Sequence, residues 1–138
     1  MARMQGTAVQ LRRHRDEHLR YAQRDAKALQ GARAQFRAHY LTMLKCEWDA
    51  AFWADTNPDR SKGIGANVPR LQRYMTSDAA IIARLEAEVV DSLATARKAA
   101  AALAKLEAQY DRWTWQEPGW WTLVRLCWQG WRKQRALA

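Results

Sequence analysis

Residues 78–113 read DAAIIARLEAEVVDSLATARKAAAALAKLEAQYDRW. Ile82, Leu85, Val89, Ser92, Ala96, Ala99, Leu103, Leu106, Tyr110 and Trp113 recur through this stretch at alternating spacings of three and four. That is the heptad a/d pattern of a helix with one narrow apolar stripe. Alanine between Ala99 and Ala102 permits close helix–helix approach. Thr76-Ser77-Asp78 offers N-cap oxygens for its start. The formal charge over Asp78 to Arg112 is nearly balanced, with five basic and six acidic residues. A helix of that length spans roughly 50 Å. Its one stripe needs a partner, and Ile82, Leu85, Val89, Leu103, Leu106 and Tyr110 are the expected self-association seam.

Upstream, abundant alanine, few β-branched residues and clustered Pro and Gly extend the all-α reading to the whole chain. A first helix is expected from about Thr7 to about Ala54. A seam at spacings of three and four runs through Leu19, Ala22, Ala26, Leu29, Phe36, Tyr40 and Met43, with Arg33 as a break. Gly31 is expected to mark a kink or a close backbone approach. Asn57-Pro58 ends the helix, because the residue before proline is pushed out of the α region. A loop over residues 55–67 and a short turn over 68–75 should follow. The expected architecture is a long antiparallel helical hairpin, coiled-coil-like, in one domain. Trp48, Phe52 and Trp53 should meet Ile81, Ile82 and Leu85 near the loop end.

The last 26 residues hold six of the eight tryptophans: Trp113, Trp115, Trp120, Trp121, Trp128 and Trp131. Pro118 fits the first position of a third helix over residues 118–135. On a helical wheel Trp120, Trp121, Leu123, Val124, Cys127, Trp128 and Trp131 share one arc, opposite Thr122, Arg125, Gln129, Arg132 and Lys133. Tryptophan concentrates where apolar area meets something wet. Three readings follow. The helix folds back on the hairpin as a third bundle member. It lies on an anionic membrane surface, as a Trp/Leu face with an arginine-rich opposite side does. Or it forms an interface with another copy or a protein partner, where Trp and Arg are favoured. Docking through Trp120, Trp121, Val124, Trp128, Trp131, Arg125 and Arg132, onto a larger assembly or a membrane surface, is the leading expectation.

The net charge is +9, and 17 of the 23 basic residues are arginine. That balance favours anionic partners. Residues 1–37 carry nine basic groups against three acids. Arg13, Arg20, Arg24 and Lys27 share one helical stripe, which could follow a phosphate backbone without reading sequence. A nucleic-acid-binding accessory protein is therefore the alternative. The bland explanation is a solvated face, relieved by i,i+4 pairs such as Asp16–Arg20.

Catalytic patterns are incomplete. His14-Arg-Asp-Glu17-His18 copies the H-x-x-E-H zinc pattern, with Glu86 and Glu88 as further ligands by position only. Asp55, Asn57, Asp59 and Ser61 copy the first ligand positions of a calcium loop. Arg60 and Ala66 then replace its glycine and its bidentate glutamate. Ser61-Lys62-Gly63-Ile64-Gly65 lacks a preceding strand and the order of a phosphate loop. Cys46 and Cys127 form no metal or disulfide framework. His39 lies seven residues before Cys46 without an orienting third group. No enzymatic activity, metal or cofactor is expected. No secretory signal is seen in Met1 to Gln10, and no apolar window is long enough for a membrane span. The expected location is cytoplasmic, peripheral at a membrane or within a particle. The pattern suits small accessory proteins of mobile elements or phage particles.

Overall fold

The computed structural model describes residues 2–116, 124–125, 127–129 and 131–132. The fold is an all-α helical hairpin. α1 spans Ala2–Trp53, α2 spans Pro58–Gly65 and α3 spans Asn67–Gln116. Two compact units are defined by contacts. One comprises Met1–Arg13 with Lys98–Ala138, the other His14–Arg97.

Within the unit His14–Arg97, Arg33 pairs with Glu86 at 2.7 Å and His39 with Asp78 at 2.7 Å. An advance of six residues on α1 meets a retreat of eight on α3, so the helices are antiparallel. The inward row of α3 is Val68, Leu71, Met75, Asp78, Ile82, Leu85, Val89, Ser92 and Ala96, all buried or half-buried. The heptad expected from Ile82 onward is this row, continued four positions further upstream to Val68. Ile82, Leu85 and Val89 of the expected self-association seam lie on this row.

The inward row of α1 in this unit is Arg15, His18, Ala22, Asp25, Leu29, Ala32, Phe36, His39, Met43, Cys46, Ala50 and Trp53. It also repeats at four and three without a break. Only Ala22, Leu29, Phe36 and Met43 of the expected seam lie on it. Leu19, Ala26, Arg33 and Tyr40 are exposed. Apolar bulk draws a sequence reading to Leu19 and Tyr40, whereas the packed positions beside them hold His18 and His39.

In the unit containing the chain ends, Met4, Ala8 and Leu11 of α1 and Ala99, Leu103, Leu106 and Tyr110 of α3 are the inward positions. Arg12 and Glu107 pair across them at 3.0 Å. The apolar core of the described residues is thin: Ala22, Leu29, Leu85, Ala96, Ala99 and Leu103 are its buried members. Two helices alone can cover only one stripe each.

Other boundaries differ from the sequence reading for local reasons. The expected loop over 55–67 holds α2. Asn57 caps it, its side chain accepting from the Arg60 amide at 3.1 Å, and Pro58 occupies the first turn, where its missing N–H costs nothing. The Ser61 hydroxyl donates to the Ala50 carbonyl at 2.6 Å, satisfying an acceptor near the end of α1. The expected turn over 68–75 and the helix from 78 are one continuous α3, with Pro69 in its first turn. Thr76 does not cap; its hydroxyl donates to the Gln72 carbonyl at 3.0 Å within the helix. Gly31 marks no close approach. α1 is unbroken there, and a methyl group at Gly31 would meet nothing within 4 Å.

Candidate docking surfaces

The expected helix over 118–135 lies largely outside the described residues, with Trp120 and Trp121 among those omitted. The described positions 124–125, 127–129 and 131–132 are helical. Val124, Trp128 and Trp131 are 40, 56 and 51% exposed. Spacings of four and three place all three on one arc, with Arg125 and Arg132 in a parallel row beside it. The Arg132 guanidinium sits 4.3 Å from the centroid of the Trp128 ring. That stacking holds an arginine at the margin of the aromatic face while leaving the charge in water.

Near the other end of α1, the expected packing of Trp48 and Phe52 against Ile81, Ile82 and Leu85 does not occur. Trp48 is 77% and Phe52 68% exposed. The register explains this: His39 already faces Asp78, so a residue nine or more positions further on lies beyond Ile81. The inward positions there are Cys46, Ala50 and Trp53, which point away from Trp48. Trp48 instead continues an outward row with Leu41, Leu44 and Phe52. Trp53 is half-buried, edge-on to Phe52 and covered by the Arg60 guanidinium at 4.3 Å. Trp48 and Phe52 are large and apolar, which favours a core expectation for them that the register overrides.

Arg20, Arg24 and Lys27 are exposed on the outer face of α1. Arg13 occupies the same heptad position one repeat earlier, in the other unit. Arg24 is engaged at its base: its Nε donates to Asp25 at 2.9 Å, and its pKa is raised by that bond and by the Asp25 charge. The expected Asp16–Arg20 pair is replaced by Arg15–Asp16 at 2.9 Å.

A groove of about 450 Å³ lies in the unit of the chain ends. Met4, Ala8, Val9, Leu106 and Tyr110 line it, with the Arg12–Glu107 pair among its walls. His14 and His18 stack edge-on with centroids 4.6 Å apart, and among the described residues no three metal-ligating side chains converge. Glu86 is occupied by Arg33, and Glu88 lies 3.7 Å from Arg84. In the calcium-like segment Asn57 and Ser61 are spent on capping, as described above. Cys46 and Cys127 are free thiols, the first half-buried and the second exposed. His39 does have an orienting carboxylate, Asp78, which the sequence reading missed. One heptad of helix, about 10 Å of rise, nevertheless separates it from Cys46, too far for proton transfer. Among the described residues no helix is long and apolar enough to cross a membrane. Compared with known proteins, the chain matches no family model, no curated protein and no solved structure.

Proposed function

We propose that this chain is a non-enzymatic helical adaptor whose C-terminal Trp/Arg helix docks onto an anionic surface, either a membrane or the acidic face of a larger particle. The supporting observation is the exposed row Val124, Trp128 and Trp131 with Arg132 stacked on Trp128. Trp120, Trp121 and Arg125 are the remaining members of the docking set read from the sequence. Tryptophan emission tests this. Docking predicts a blue shift when vesicles containing anionic lipid, or an acidic protein partner, are added. Trp128→Ala with Trp131→Ala should remove the shift. A spectrum indifferent to both additions would reject the docking role.

The exposure of Arg20 and Lys27 on one outer face favours a second reading, non-specific nucleic-acid binding through Arg13, Arg20, Arg24 and Lys27. Reversing Arg20 and Lys27 to Glu should then abolish retention of DNA, with a steep salt dependence in the parent protein. Under the docking reading the same changes leave vesicle capture in place.

A further inference from the structure

We propose that His14 and His18 of α1 form a binding site for one divalent transition-metal ion of the Cu2+, Ni2+ and Zn2+ class. Both residues lie in the unit His14–Arg97, and the site is independent of the docking helix. A spacing of four stacks the two imidazoles on one face of α1. Their centroids are 4.6 Å apart, with the ring planes at 75°. Two imidazoles that share a metal through nitrogen bonds of about 2.0–2.1 Å hold their centroids about 5 Å apart. The rings therefore already stand close to a chelating separation.

The second observation is the state of His18. Its Nδ1 is buried and, among the described residues, has no hydrogen-bond partner. A buried polar atom left in that state is costly, and a bound ion is one of the few things that relieve it. Tyr21 meets the His18 ring edge-on with centroids 5.6 Å apart, which limits rotation of that ring. His14 is exposed and is the member that turns to complete the pair.

Charge along this part of α1 selects the ion. Residues 7–25 carry Arg12, Arg13, Arg15, Arg20 and Arg24 against Asp16, Glu17 and Asp25. Arg15 is paired with Asp16 and Arg24 with Asp25, and Glu17 already has an interaction partner. Ca2+ and Mg2+ require several oxygen ligands, so a positive stretch whose carboxylates are engaged disfavours them. Imidazole suits the borderline transition metals, among which Cu2+ binds nitrogen sites more tightly than Ni2+ or Zn2+. Two protein ligands leave the other coordination positions to water. The pair is thus a binding site and not the hydrolytic centre that the H-x-x-E-H spelling implies, which needs a third protein ligand and a glutamate available as base.

Calorimetric titration of the metal-free full chain with Ni2+ is the test. The parent protein should bind one Ni2+ per chain, and Mg2+ in its place should not bind. His14→Ala should weaken Ni2+ binding about a hundredfold, because the second imidazole of the pair adds as an intramolecular ligand. That side chain is exposed, so the helical circular dichroism should stay as in the parent. His18→Gln should weaken binding as strongly. The chain has three histidines, so NMR locates the ion. Paramagnetic Ni2+ should broaden the ring C–H signals of His14 and His18 and spare that of His39, which is hydrogen-bonded to Asp78. Cys127→Ser, which removes the exposed thiol, should leave binding unchanged. A parent protein that binds no Ni2+ would overturn the proposal. So would binding that survives both histidine variants, binding lost with Cys127→Ser, or equal broadening at all three histidines.

Discussion

The inward rows of α1 and α3 follow the same heptad, yet they are built from different chemistry. Between Ile82 and Tyr110 the α3 row is Ile, Leu, Val, Ser, Ala, Ala, Leu, Leu and Tyr. The α1 row holds Arg15, His18, Asp25 and His39 among its apolar members. Helix geometry places every residue of such a row toward the partner whatever its polarity. An apolar row can slide by a heptad at little cost. A row with a histidine that must meet one aspartate cannot, because a misplaced buried carboxylate loses its hydrogen bond. The polar members of α1 thus supply register, while the aliphatic members of α3 supply burial.

This contrast can be broken from either side. Leu85→Ala removes one of the few buried large side chains and should cost about 3 kcal/mol in denaturant unfolding. Next in size, His39→Ala strands the Asp78 carboxylate, which is only 7% exposed. It should cost about 2 kcal/mol, below the range for fully buried pairs because His39 itself reaches solvent. Replacing both His39 and Asp78 by Leu should recover that stability while loosening register. Cross-linking between cysteines introduced at positions 33 and 86 would then give mixed products where the parent pairing gives one. A smaller contrast sharpens the placement of the α1 row. Leu29→Ala should cost about 2 kcal/mol, whereas Leu19→Ala, at an exposed position, should stay within about 0.5 kcal/mol. Equal losses at the two positions would restore the seam read from apolar bulk alone. The smallest effect has the opposite sign: Gly31→Ala, with open space around the new methyl, should stabilise α1 by up to about 1 kcal/mol.

The same contrast explains how much was legible beforehand. The hairpin and the α3 row from Ile82 onward follow directly from spacing, because each inward position from there to Tyr110 is also apolar or small. The α1 row alternates packed polar positions with apolar neighbours one residue away, so counting hydrophobes selects Leu19 and Tyr40 over His18 and His39. Partner identity decides such a row, and no single helix contains it. The connection was misread for a different reason. Pro58, Gly63 and Gly65 are loop residues by propensity, but Asn57 caps and Ser61 anchors the segment strongly enough to hold them in a helix. At the C-terminus, the shared arc of Val124, Trp128 and Trp131 follows from their spacing. The outer row of α1 does not, since Trp48 and Phe52 look like core until the register places them beyond it.

The capped link between the long helices has a consequence for handling the protein. A hairpin connection is ordinarily where a protease enters, because cleavage needs several residues of extended chain. Here only residues 54–57 and Ala66 stand between helices, and the tryptic sites Arg60 and Lys62 both lie inside α2. Arg60 is further held over the Trp53 ring. Brief trypsin digestion should therefore spare this junction, and fragments cut at Arg60 or Lys62 should emerge only as the whole chain unfolds.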